Sequence, residues 1–129
     1  MKRNELLENY DVAVIGGGPA GLSAAISARI NGADNVLIID RDLYLGGILQ
    51  QCIHPGFGLK KFNLELTGPE YAHKFVKKVL NLDIDYITDA FVADITKNNE
   101  IFILNSRIGI KKVTSKATIF AMGCRERTR

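Results

Sequence analysis

The chain is poor in cysteine, in long apolar runs and in concentrated charge, and each shortage narrows what it can be. Only two cysteines, Cys52 and Cys124, occur in 129 residues, and they share no CxxC spacing. That argues against a zinc site and against a disulfide scaffold of the secreted type. No apolar run approaches the roughly 20 residues a helix needs to span a bilayer, so no transmembrane segment is expected. The N-terminal MKRNELLENYD lacks the apolar core of a signal peptide, and a cytoplasmic, reducing home is expected. The net charge of +3 comes from 17 basic and 14 acidic residues. Arg125, Arg127 and Arg129 account for the excess at the very end of the chain, so no basic face points to nucleic acid. There is no internal repeat and no low-complexity segment. The length suits one domain with a real core and is too short for two.

Against that plain background one stretch is dense with signals: YDVAVIGGGPAGLSAAISARINGADNVLIID, Tyr10 to Asp40. DVAVIG (Asp11 to Gly16) is a short β-branched run stopped by glycine, as in a buried parallel strand. Pro19 suits the first turn of a helix, where its missing N–H would have no partner. AGLSAAISARI then reads as a helix with small residues on one side, ended by Gly32. VLII (Val36 to Ile39) is a second buried strand, closed by Asp40.

Gly16-Gly17-Gly18-Pro19-Ala20-Gly21 matches G-x-G-x-x-G at the strand-to-helix junction. Gly16 permits the tight turn, Gly18 lets a pyrophosphate approach the backbone, and Gly21 with Ala25 allows close packing of helix on strand. The helix N-terminus offers N–H groups and the positive end of its dipole to phosphates. Asp40 lies 24 positions after Gly16. A carboxylate there can accept hydrogen bonds from both hydroxyls of an adenosine ribose, and it disfavours the 2′-phosphate of NADP. The spacing alone is a weak signal; strand, turn, helix, strand and terminal acid in sequence make it strong.

Residues 41–69 read as a long irregular loop, RDLYLGGILQQCIHPGFGLKKFNLELTGP, of a length that is usually functional. Glu70 to Asn81 returns to helical spacing, with Tyr71, Ala72, Phe75, Val76, Val79 and Leu80 on one face and Lys74, Lys77 and Lys78 on a solvated one. DIDYIT (Asp83 to Thr88) reads as a third strand. FVADIT, EIFILN and IGIKKV then alternate as an antiparallel meander over 88–114, with Asn98-Asn99 as a hairpin turn. ATIFA (Ala117 to Ala121) reads as a further, separate short strand ended by Gly123.

With Gly46-Gly47 in the loop and TIFAMG near the end, this arrangement resembles the FAD domain of flavoproteins that carry two dinucleotide-binding domains. GGILQQCIHPGFG, ELTGPEY and GCRERTR are similar to one bacterial branch of FAD/NAD(P)-dependent oxidoreductases, of the pyridine nucleotide-disulfide oxidoreductase type, which includes flavoproteins of anaerobic glycerol-3-phosphate oxidation. The likeness implies an α/β fold: a Rossmann-like βαβ unit (10–40) with a parallel sheet, a cofactor-side loop (41–69) and a small antiparallel meander, together forming a single but incomplete FAD-binding domain over 1–129. It implies FAD as cofactor, NAD(P) as a co-substrate of full-length relatives, and flavin-mediated hydride transfer. Cofactor contacts are implied at Gly16, Gly18, Pro19, Ala20, Gly21, Asp40, Arg41, Gly46, Gly47, Ile48, Val92, Ala121 and Gly123; no metal is implied. Met122 stands where the family has a threonine, which removes a hydroxyl.

Disulfide-reducing relatives carry two cysteines in this loop, spaced CxxxxC; here Cys52 is alone, so no dithiol pair exists there and packing is the favoured reading of its thiol over catalysis. His54, in a turn, reads as structural, and His73 as a surface residue. The tail CRERTR is where relatives begin the crossover to an NAD domain, and their chains later return to add the last strand of the FAD sheet and a Gly-Asp pair. Neither lies within these residues, so the likeness calls for a continuation or a second chain to supply them. A non-catalytic fragment that binds an adenine dinucleotide, and a gene remnant, are the alternatives.

Overall fold

The computed structural model describes residues 5–124; the arginines at 125, 127 and 129 lie outside them. Six strands form one sheet in the order β3-β2-β1-β6-β5-β4. The strands are β1 (Asn9–Ile15), β2 (Val36–Ile39), β3 (Asp85–Ile87), β4 (Ala90–Ile95), β5 (Glu100–Asn105) and β6 (Gly109–Phe120). β3, β2, β1 and the second half of β6 pair in parallel, whereas β4, β5 and the first half of β6 pair antiparallel.

Period-two alternation in β1 and β2 places the core on both faces of the sheet. Val14, Val36 and Ile38 point to one side, where α1 (Pro19–Ile30) and α3 (Gly68–Asn81) cover them with Leu22, Ala25, Ile26, Phe75 and Val79. Ala13, Leu37 and Ile39 point to the other, where the sheet curls over and Ile101, Ile103 and Val113 of the meander close the layer. A strand buried on both faces must be apolar throughout, which is why VLII carries no alternation.

Polar clamps tie neighbouring elements within each layer. Arg29 on α1 donates through Nε to the Leu82 carbonyl (3.1 Å) and through Nη1 to that of Ala33 (3.2 Å), joining the ends of both helices. The buried Tyr10 hydroxyl donates to Asp85 Oδ2 at 2.9 Å, tying β1 to β3 across β2.

Five expectations change. ATIFA is not a separate strand: it continues IGIKKV as the single 12-residue β6. The third strand begins at Asp85, because Asp83 sits in a turn with φ 58°. Leu80 leaves the apolar face and is exposed, and Lys74 is half-buried with its ammonium 5.2 Å from the Phe62 ring centre. The 41–69 loop is partly regular, with a 3-10 turn at Gly47–Gln51, the short α2 (Leu59–Phe62) and a bridge between Phe57 and Leu66. No helix among the described residues is long and apolar enough to cross a membrane.

Candidate functional site

The C-terminal ends of β1, β2 and β6 meet the start of α1, and the sequence makes this junction tight. A Cβ on Gly16 would lie 2.2 Å from the Ala121 carbonyl oxygen at the end of β6, and Gly16 has φ +108°. A Cβ on Gly21 would lie 1.8 Å from the Gly16 oxygen, so α1 rests directly on the turn. Both positions exclude any side chain. Gly18 differs: an added Cβ would meet only the Cα of Gly47, at 3.9 Å. The space over Gly18 is therefore open in the protein itself.

Gly18 is also the N-cap of α1, in an extended conformation (φ −75°, ψ −173°), and no side chain caps the helix. Pro19 occupies the first turn and no acid follows it. The Leu22 amide is bonded to the Gly18 carbonyl, which leaves the N–H groups of Ala20 and Gly21 at the helix mouth without a side-chain acceptor. An uncapped helix start with no side chain over Gly18 is suited to an anion with bulk, such as a pyrophosphate.

The 41–69 loop forms the opposite wall. The Gly46 amide donates to the Gly17 carbonyl (2.8 Å), and a Cβ on Gly47 would lie 2.9 Å from the Gly18 Cα. Two glycines thus face each other across the mouth. Gln50 Nε2 donates to the Leu45 carbonyl (2.7 Å) and fixes the bend. The Gly68 amide donates to the Cys52 carbonyl (2.7 Å), fastening the loop's far end to α3.

Asp40 is 6% exposed. Its Oδ2 accepts from the Gly17 amide at 2.7 Å and its Oδ1 from the Asp42 amide at 2.9 Å. Burial pushes this carboxyl above its ordinary range, and the Asp42 and Gly17 amides offset part of that shift. A carboxylate oxygen carries two acceptor sites, so each still has one for an incoming hydroxyl.

Among the expected contact residues, Gly16, Gly18, Pro19, Ala20, Gly21, Asp40, Gly46, Gly47 and Ala121 gather around this junction. Arg41 and Ile48 are exposed beside it. Val92 sits in β4 opposite Ile103 and packs partly against the core beneath the meander. Met122, Gly123 and Cys124 follow β6 and are exposed. Cys52 is half-buried and its thiol donates to the Ile48 carbonyl at 3.4 Å; His54 is exposed and its ring lies 5.2 Å from that of Phe57. No group of acids, histidines and cysteines able to hold a metal occurs among the described residues.

Two contributors escaped the sequence reading. Gly17, given no role by the G-x-G-x-x-G pattern, has no room for a side chain because Leu45 and Asp40 occupy its flank, at 2.4 and 2.6 Å from a built Cβ. Thr67 caps α3: its hydroxyl accepts from the Glu70 amide (3.4 Å) while Glu70 Oε2 accepts from the Thr67 amide (2.7 Å). The T-x-x-E spacing of LTGPE was the available signal for that cap.

Residues 10–129 match the family described as pyridine nucleotide-disulphide oxidoreductase. Over 84 residues the chain is 38% identical to a thioredoxin reductase of Ureaplasma parvum serovar 3, a match covering 64% of this chain and 26% of that protein. Over 118 residues it is 32% identical to an alkyl hydroperoxide reductase component of Staphylococcus aureus, covering 90% of this chain and 22% of the relative. The crystal structure of thioredoxin reductase from Streptococcus pyogenes MGAS5005 superposes with a TM-score of 0.73 at 26% identity, over 95% of this chain and 38% of that one. The chain therefore spans about a quarter of the length of the curated relatives it matches.

Proposed function

Because the chain belongs to the pyridine nucleotide-disulphide oxidoreductase family, we propose that it is the part of a flavin-dependent oxidoreductase that holds the ADP end of FAD. What carries this reading is the opening at Gly18, an uncapped helix start facing Gly47 with Asp40 alongside. The pyrophosphate lies over Gly18 and Gly47 and accepts from the N–H groups of Ala20 and Gly21. Asp40 accepts from the adenosine ribose with the free acceptor site on each oxygen. Arg41 flanks the adenosine, Val92 lies at the adenine end, and Ile48, Ala121 and Gly123 line the path toward the flavin. The carboxylate repels a 2′-phosphate, so FAD or NAD fits this cradle better than NADP.

Bound there, FAD would supply hydride exchange with a nicotinamide or a small substrate. This chain's residues supply position, helix-dipole electrostatics and exclusion of water; residues 1–129 form part of a single FAD-binding domain. The remaining strand of the sheet comes from a continuation or from a second chain, and the assembled protein works in the cytoplasm with NAD(P) as co-substrate. The test is to purify the 129-residue chain, record its visible spectrum and titrate it with FAD, ADP and NAD. A flavin spectrum or saturable FAD binding is expected; a colourless protein indifferent to FAD would overturn the proposal.

A second reading is favoured by one observation: Cys52 is the only thiol in the cofactor-side loop. The chain then binds an adenine dinucleotide and turns nothing over. Binding without any NADH-dependent reduction of flavin or dye separates it from the first.

A further inference from the structure

A second cleft, of about 950 Å³, opens between the cofactor-side loop, α3 and the β3 edge. It is separate from the glycine junction. None of Gly16 to Gly21, Asp40, Gly46 or Gly47 lines it, and the two sites share only a wall at Leu45 and Gln50. Leu45 lines the cleft on one side and reaches Gly17 on the other.

The lining has a definite chemistry. Glu70, His73 and Lys74 lie on one face of α3, and Arg107 approaches from the β5–β6 turn. Glu70 is the one acid there, and its carboxylate is engaged by the Thr67 amide and hydroxyl at 2.7 and 3.0 Å. Arg107 is exposed and forms no ion pair among the described residues. The balance is positive even with His73 neutral. Two aromatic rings border the same space: Tyr86 on β3, half-buried, and Tyr44 on the loop, 76% exposed. A tyrosine that exposed is not held by the protein's own core.

A guanidinium and a lysine, whose ammonium also lies 5.2 Å from the Phe62 ring centre, beside two phenol rings match a ligand with an anionic head and a flat apolar body. We propose that this cleft is a binding site for a small aromatic anion, distinct from the dinucleotide site, with its phosphate or carboxylate at Arg107 and Lys74 and its ring between Tyr44 and Tyr86. The cleft lies at the carboxyl ends of β2 and β3, the side of a parallel sheet where ligand sites concentrate. Truncating Arg107 leaves the fold alone, because the turn is held by its backbone amide donating to Asn105 Oδ1 (2.9 Å).

The experiment is an amide NMR titration of the 129-residue chain with phenyl phosphate, with inorganic phosphate and with ADP. Phenyl phosphate should move the amides of Tyr44, Thr88 and Arg107 saturably, and Arg107→Ala should weaken it at least tenfold while Lys77→Ala does not. Inorganic phosphate should bind at least tenfold more weakly, and ADP should leave phenyl phosphate in place. Equal affinity in Arg107→Ala, equal affinity for inorganic phosphate, or competitive displacement by ADP would each overturn the proposal. The last would make the cleft an extension of the adenosine site. The dinucleotide reading is judged separately, by FAD binding alone.

Discussion

Asp40 grips the glycine turn: its Oδ2 accepts the Gly17 amide at 2.7 Å while its Oδ1 accepts Asp42 at 2.9 Å. The acid expected to meet a ribose therefore also joins the end of β2 to the start of α1. Burial is the largest influence on it and raises its pKa above the ordinary 3.8. For a raised group the folded protein holds the proton more tightly than the unfolded chain does. The associated stability is fully present below 3.8 and is lost as pH rises through the folded-state value. Carbon-13 titration of the Asp40 carboxyl should thus give a midpoint above 3.8, and Asp40→Asn should flatten this part of the stability–pH curve. A midpoint at or below the ordinary value would contradict the assignment.

Gly18→Ala and Gly21→Ala should behave oppositely. At Gly18 the nearest atom to an added Cβ is 3.9 Å away, so stability should fall only by the N-cap preference for glycine over alanine, about 1 kcal/mol. Its methyl would occupy the proposed pyrophosphate space, and FAD or ADP affinity should fall at least tenfold. At Gly21 the Cβ would collide with backbone at 1.8 Å. That variant should lose several kcal/mol, roughly the overpacking range or beyond it, and fail to unfold cooperatively. Equal melting temperatures for the two variants would count against the geometry.

Thr67→Ala removes the hydroxyl that receives the Glu70 amide and leaves Glu70 without half of its reciprocal pair. Urea denaturation should register a loss of about 0.5–2 kcal/mol. Because Gly68 also fastens the 41–69 loop through Cys52, protease nicking between Gln50 and Thr67 should accelerate in the same variant.

The second half of β6 has β1 on one side and no strand among the described residues on the other, since β5 pairs only as far as Thr114. Phe120, at 60% exposure, lies along that edge. Open edges recruit strands, so sedimentation should reveal concentration-dependent self-association, and Phe120→Lys should reduce it. A monodisperse monomer at high concentration would show that the edge is protected.

Much of the glycine junction was legible because its signals are local. Glycine, proline and β-branched runs fix β1, the turn, α1 and β2 within a few residues of one another. The unity of β6 was not readable. Thr114, Ser115 and Lys116 interrupt its apolar pattern as a loop would, yet each is satisfied from elsewhere. Thr114 donates its amide to the Glu8 carbonyl, Ser115 donates its own to that of Asn99, and Lys116 pairs with Asp11 at 2.8 Å. Those partners are far away in the chain. Leu80 misled for a different reason. One step beyond Val79 turns a side chain by about 100°, which carries Leu80 off the buried face and leaves it 41% exposed.

β6 is paired in parallel with β1 over one half and antiparallel with β5 over the other. A slip of one residue against either partner would turn its whole inward set outward, and it would do so against both partners at once. The meander thus works as a vernier for the junction above it. By fixing β6 at its far end, it sets the height at which the Ala121 carbonyl meets Gly16, and so the depth of the groove between them.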